Sequence, residues 1–496
     1  MSKQAAPPLR LVRAAQERAE LTFSSQQQAA IAHRGSPLII TGATGTGKTT
    51  TLIEAAVARI NAGQDPNSLL ILTYGRERAA EIRDAIVIRS QMTAHEPLAR
   101  TFHSLAYSIL KMRSANENFN LVLLSGAEQE NFIAQLLQGD IEKGYREWPP
   151  ELHATASSMG EPLATQGFVR ELRDLIMRAN ERSISPAHLA ERGKQLGEKY
   201  WPAAAEFWKR YLGAMALQAD GAADAKVRID PSEIIVETIH TLKNNAELLA
   251  QLRRRFTTIM VDEFQESDKA QRALLSNVAT DDLVIAVDPF STLGRFRGAD
   301  PDGLEKALEP YEKEVIHLDQ NFRASSSIHL FQERVAGQFR IPPRTQSSSA
   351  NSAGNVVAEC FIDGANEATF IADQLQRAHL ERGYKWSEMA VIFRSPAQNT
   401  AVRHALMRSG IPVAGELQVL SESASIAPFL LLAECAINGK VDINSATVLL
   451  QSEFGGADSI SMRRIRRELV SKYSSETGKS GTQLICDAIR SEEHTS

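Results

Sequence analysis

Short apolar runs, each leading into a stretch of helical period, set the rhythm of this chain. Leu38-Ile39-Ile40 and Leu69-Leu-Ile-Leu-Thr73 have the length of buried strands, and each is followed by an apolar-periodic helix. A third segment, Ala99-Arg-Thr-Phe-His-Ser104, runs into an apolar helix over 105–110. Strands alternating with helices predict an α/β domain whose parallel sheet is covered on both faces. From about 115 to 235 the strand signal fades and helical period takes over, interrupted by Trp148-Pro149-Pro150 and Ser185-Pro186, which predicts an all-helical insertion. The sheet resumes at Thr257-Thr-Ile-Met-Val261 and Leu283-Val-Ile-Ala-Val287.

A second α/β unit is expected to begin at Val315-Ile-His-Leu318. Its later strands would be Val356–Ile362 and Met389–Ser395, with a helix over 367–381 between them. The Ser-, Pro- and Asn-rich stretch Pro342–Gly354 reads as an exposed loop. The resulting organisation is a flexible lead-in (1–20), a first α/β domain (21–114 and 236–305), the insertion (115–235), a second, incomplete α/β domain (306–438) and the start of a helical insertion within it (439–489). The basic run Met462-Arg-Arg-Ile-Arg-Arg-Glu-Leu469 in that last segment reads as a solvated helix face. The terminal Arg490-Ser-Glu-Glu-His-Thr-Ser496 resembles a translated sequencing adapter, and 490–496 is taken as an artefactual tail.

Composition narrows the class. Of 496 residues, 43% are apolar and 23% charged, which describes an ordinary globular protein. The net charge of −5 gives no global basic field, so any nucleic acid would be held by local basic surfaces. Cys360, Cys435 and Cys486 are far apart with no CxxC pair, which excludes a disulfide framework and points to a reducing cytoplasm. No run approaches the ~18 apolar residues of a membrane span, so no membrane association is expected.

The chemistry concentrates after the first strand. Gly42-Ala43-Thr44-Gly45-Thr46-Gly47-Lys48-Thr49 has the spacing of a phosphate cradle: glycines allow a tight turn that aims backbone N–H groups and a helix N-terminus at an anion. Lys48 would reach the β/γ-phosphates of ATP and Thr49 would ligate Mg²⁺. Asp262 and Glu263 follow an apolar strand where an open α/β sheet binds its ligand, the first suited to Mg²⁺ and the second to orienting or deprotonating water. Upstream, Ser24 or Ser25 can cap a helix carrying Gln26-Gln27-Gln28, and a Gln side chain has the donor and acceptor needed to read an adenine edge.

With these motifs placed, the chain resembles the superfamily 1 DNA helicases of the UvrD/Rep/PcrA type. That resemblance implies a RecA-like P-loop NTPase domain with a helical insertion, followed by a second RecA-like domain, and an ATP-driven motor acting on single-stranded DNA and its duplex junctions. It implies that Gln27 reads adenine beside Thr50, that Asp262-Glu263-Phe264-Gln265 is the DExQ motif, that Phe322 stacks on adenine, and that Arg323 is an arginine finger carried by the second domain. Thr73, Tyr74, Thr101, Phe102, His103, Phe296, Arg297 and Arg394 would then touch DNA, with core packing as the rival role for Phe102. The third motif departs from the family: Ser291 replaces a Gln, Gly294 a Tyr and Phe296 a Trp, while Thr50 replaces a basic residue. Similar drift occurs in actinobacterial helicase–nuclease subunits of the AdnA kind, which implies a second motor subunit as a partner. Two late family motifs have no counterpart before Ser496, so the second domain is expected to lack strands and to expose an apolar edge.

Overall fold

The apolar runs of the first domain all become strands. In the computed structural model, which describes residues 21–90, 98–117, 119–144, 147–153, 161–219, 226–342, 344–347, 354–395, 399–414, 426–439 and 441–490, the strands in chain order are β1 (Leu38–Gly42), β2 (Leu69–Thr73), β3 (Ala99–Thr101), β4 (Asn120–Leu123), β5 (Lys226–Ile229), β6 (Thr258–Val261), β7 (Asp282–Val287), β8 (Glu314–Leu318), β9 (Gln320–Asn321) and β10 (Gln346–Ser347). The lead-in 1–20 and residues 491–496 lie outside the described residues. A six-stranded sheet runs β3-β2-β6-β7-β1-β8, and every pairing in it is parallel. Alternation along the strands feeds two cores. Ile39, Leu70, Ile259 and Ile285 face one set of helices, and Leu38, Ile40, Ile71 and Met260 face the other.

The sixth strand corrects the reading of Val315–Leu318. This segment does not open a second domain: β8 pairs with β1 in parallel, with Ile316 opposite Ile40 and Leu318 opposite Gly42. The cause is the edge that β1 would otherwise leave unpaired, which a further parallel strand satisfies. Phe322 and Arg323 therefore leave the same sheet as the phosphate loop, and the chain divides into two compact units only after Val356.

The insertion is helical but not all-helical. Where the chain leaves and re-enters the first domain, β4 and β5 form a parallel ladder, Asn120 opposite Lys226 through Leu123 opposite Ile229. Above it, Trp148, Phe207, Trp208 and Tyr211 anchor a separate core. Buried Asp230 ties this core down, accepting hydrogen bonds from Tyr211 (2.8 Å), from the Ser232 amide and hydroxyl (2.8 Å each) and from Gln129.

In the second unit, the helices Gly364–Arg382 and Asn399–Arg408 pack through Ala368, Ala372, Val402, Ala405 and Leu406. The expected strands at Val356–Ile362 and Met389–Ser395 are not ones: the described residues there join no ladder, and Val357, Ile362 and Ile392 stand 64%, 97% and 93% exposed. An apolar run becomes a strand only where a neighbour takes its N–H and C=O groups. The basic run Met462–Leu469 lies within the helix Ser459–Thr477, with its arginines exposed.

Candidate functional site

The loop after β1 is shaped by glycines that nothing larger could replace. Gly45 and Gly47 have φ of 91° and 81°. A Cβ would lie 2.6 Å from Asn321 Oδ1 at Gly45 and 2.7 Å from Gln27 Nε2 at Gly47. The helix Lys48–Asn61 starts directly behind, its N-terminus under the loop. Buried Lys48 donates from Nζ to the carbonyls of Gly42 (2.9 Å) and Ala43 (3.2 Å). Burial lowers its pKa, and the carboxylates of Asp288, Glu263 and Asp262 oppose that shift.

Thr49 and Asp262 meet across the sheet edge: the hydroxyl donates to both carboxylate oxygens, at 2.9 and 3.0 Å. Asp262 is fully buried, and burial followed by the neighbouring Glu263 pushes its pKa up to about 6, against the pull of Thr49, Arg78 and Lys48. A carboxylate held at such cost beside a hydroxyl suits a divalent cation. No cluster of three or more acidic, His or Cys side chains able to hold a metal exists among the described residues. Thr49 and Asp262 could hold a cation together with ligands from outside the chain, such as phosphate oxygens.

Glu263 adopts φ 54°, a left-handed conformation that costs a non-glycine residue on the order of 1–3 kcal/mol. Gln265 holds it there: its side-chain amide donates to Glu263, while its Oε1 accepts from the Asp288 amide at 2.9 Å. β6 and β7 are thereby laced together at their carboxyl ends. From the other side come β8 and β9. The Phe322 amide donates to Gly45 O (3.0 Å) and Asn321 Nδ2 to Thr44 O (3.2 Å). The Phe322 ring is 39% exposed and Arg323 is exposed beside it.

Gln27 sits against the loop but its amide is engaged, accepting from the Ser24 amide (3.0 Å) and donating to Thr46 O (3.4 Å). Ser24 is the helix cap. Thr50 lies half-buried in the first turn behind the loop, and Ser291 Oγ approaches Thr44 Oγ1 at 3.5 Å.

The sequence also missed contributors. Arg344, in the stretch read as an exposed loop, pairs with buried Asp288 at 2.5 Å, and β10 just beyond it pairs with β9. No spacing motif marks Arg344; only the fold brings it back. Glu266 accepts from the amides of Leu293 and Gly294, both at 2.7 Å. A Cβ on Gly294 would lie 2.5 Å from that carboxylate, so a larger residue there would require the Glu266 side chain to shift.

The strand-contact residues divide by burial. Phe102 is 1% exposed and belongs to the core, its ring centroid 5.2 Å from that of half-buried Tyr74; it is not open for a base to stack on. Thr73 is 1% exposed, and Thr101 caps the helix Phe102–Asn116 by accepting from Ser104 N at 3.1 Å. His103 is exposed. Phe296 is 68% exposed with the Arg297 guanidinium 5.1 Å from its ring centre. Arg394 is exposed in the second unit.

The sequence model of the UvrD/REP helicase N-terminal domain matches residues 23–312. This chain belongs to the UvrD/REP helicase family. The model of the UvrD-like helicase C-terminal domain matches 316–476, so its match begins inside β8. Relatives of this UvrD/REP member include ATP-dependent DNA helicase UvrD1 of Mycobacterium tuberculosis, 24% identical over 79% of this chain and 49% of the relative. DNA helicase II of Escherichia coli is 23% identical over 78% and 50%, and ATP-dependent DNA helicase PcrA of Staphylococcus epidermidis 23% over 79% and 50%. The chain spans about half the length of the curated relatives it matches. No helix among the described residues is long and apolar enough to cross a membrane.

Proposed function

We propose that this chain is the ATP-hydrolysing part of a cytoplasmic motor that moves along single-stranded DNA. The observation that carries this reading is the convergence of Lys48, the Thr49–Asp262 pair, strained Glu263 and the Asn321–Phe322 turn around one glycine-built cradle. Mg²⁺, when bound, would supply positive charge that offsets the charge of the phosphates. Thr49 and Asp262 would hold the cation, Lys48 would exchange the loop carbonyls for the phosphates, and Glu263, held by Gln265, would orient the attacking water. Phe322 would offer its exposed ring to the adenine, and Gln27 would read the adenine edge only on releasing the Ser24 amide or the Thr46 carbonyl that its side chain now engages. Arg323 lies in the same compact unit as the cradle and would donate to the phosphates from there. Phe296, Arg297 and His103 present stacking and cationic groups to a single strand or its junction with duplex, in keeping with names such as DNA helicase II among its relatives.

A second reading, a weakly hydrolysing DNA-binding subunit that serves a partner motor, is favoured by Ser291 and Gly294, where the third motif departs from the family. ATP turnover measured with and without single-stranded DNA separates the two. Strong stimulation, absent in Lys48→Ala, supports the motor; turnover indifferent to DNA supports the subunit. Turnover that survives Lys48→Ala would remove the nucleotide reading altogether.

A further inference from the structure

A cavity of about 190 Å³ lies against the phosphate loop, walled by Ala43 and Thr44 on one side, by Asp288 and Ser291, and by Arg344 on the other. Its one strong cation is Arg344, whose guanidinium pairs with Asp288 at 2.5 Å and lies 4.5 Å from the centre of the Phe290 ring. Asp288 is 1% exposed, and its Oδ2 finds no hydrogen-bond partner among the described residues. The pair is therefore a buried carboxylate half-satisfied by an arginine that stands at the wall of a cavity beside an anion cradle.

We propose that Arg344 is the group through which this chain distinguishes a nucleoside triphosphate from a diphosphate. The proposal rests on the nucleotide reading above. A terminal phosphoryl group carries more charge than a carboxylate and offers three acceptor oxygens to a guanidinium fork, so it competes with Asp288 for Arg344. A diphosphate held by Lys48 and the loop amides does not reach the cavity and leaves the Asp288 pair intact. The exchange has a route outward. The Arg344 carbonyl lies 3.0 Å from His317 Nε2 of β8, and the β10 strand that follows Arg344 pairs with β9, whose Asn321 holds the Thr44 carbonyl at 3.2 Å. Drawing Arg344 off Asp288 thus pulls on the ladder that leads into Phe322 and Arg323.

The test is equilibrium binding of fluorescent ADP and of a fluorescent, non-hydrolysable ATP analogue to the full chain, with folding of each variant checked by its melting transition. Arg344→Ala is expected to weaken the triphosphate roughly ten- to a hundredfold while ADP affinity holds within about twofold, and Arg344→Lys to recover part of the loss. Asp288→Asn, which removes the competitor, should shift the preference further toward the triphosphate. Equal losses for both nucleotides in Arg344→Ala would make Arg344 a structural support and overturn the inference alone. So would an Asp288→Asn variant that loses triphosphate affinity as Arg344→Ala does. A wild-type chain that binds neither nucleotide, indistinguishable from Lys48→Ala, would overturn the nucleotide reading and this inference together.

Discussion

Asp262 and Phe102 both follow strands expected to deliver a functional side chain to the carboxyl edge of the sheet, yet their surroundings differ in kind. Around Asp262, polar groups of favourable sign converge against burial and the like charge of Glu263: Thr49 at 2.9 Å, Arg78 at 3.6 Å, and Lys48. Phe102 lies in a hydrophobic core cluster that also contains Leu105 and Ile235, its ring centroid 5.2 Å from that of Tyr74. The cradle side is specified by backbone spacing, because glycines at fixed intervals and a helix start leave the phosphate loop one geometry. The side proposed for DNA would depend on which aromatic the fold leaves in solvent, and spacing does not encode that.

Substitutions at three positions sharpen the contrast, beginning with the largest effect. Glu263→Gln keeps the Asp262 charge and the strained turn, so ATP should still bind while turnover falls by a factor on the order of 10²–10⁴. Loss of ATP binding in that variant would mean that the two carboxylates have exchanged roles. Phe102→Ala removes a fully buried ring and should cost roughly 3–5 kcal/mol of stability, read by denaturant unfolding, with DNA affinity unchanged wherever the variant remains folded. Phe296→Ala should do the opposite: single-strand affinity weakens by about 1–3 kcal/mol and the melting temperature stays put, while Phe296→Trp binds more tightly. A melting shift in Phe296→Ala with unaltered DNA binding would erase the distinction drawn here.

The contrast also shows what could be read before folding. The phosphate loop, the Asp262-Glu263 pair and five of the six central strands were legible because each depends on residues adjacent in sequence. β8 was legible as a strand but not as a member of the first sheet, since membership was decided by the open edge of β1 more than 270 residues upstream. Arg344 was invisible in a Ser- and Pro-rich stretch whose composition argues for a loop, and only the short β9–β10 ladder turns it back to Asp288. The β4–β5 ladder was missed because four residues on each side pair across more than a hundred intervening positions. In the second unit, Ile392 has the neighbours in sequence of a strand residue but no ladder to join.

A second buried acid tests whether Asp262 is special or only buried. Glu233, beside the helix Ile234–Asn244, has its pKa pushed up to about 8, first by burial and then by Asp230 and Glu237. Its folded value lies above the 4.5 of the free side chain, so the native state holds the proton more tightly than the unfolded chain does. The stability this supplies is complete below pH 4.5 and is lost as pH rises through 8. Asp268, raised to about 7 mainly by burial, adds to the same downward slope. Glu233→Gln carries no ionisable proton, so it should gain about 1–2 kcal/mol over the wild type at pH 8 and show almost no gain at pH 5. Melting curves across that range, with ATP turnover measured alongside, provide the check. A gain that is independent of pH would show that Glu233 is ionised in the native state, and that burial among acids does not by itself separate a structural carboxyl from the one beside the phosphate cradle.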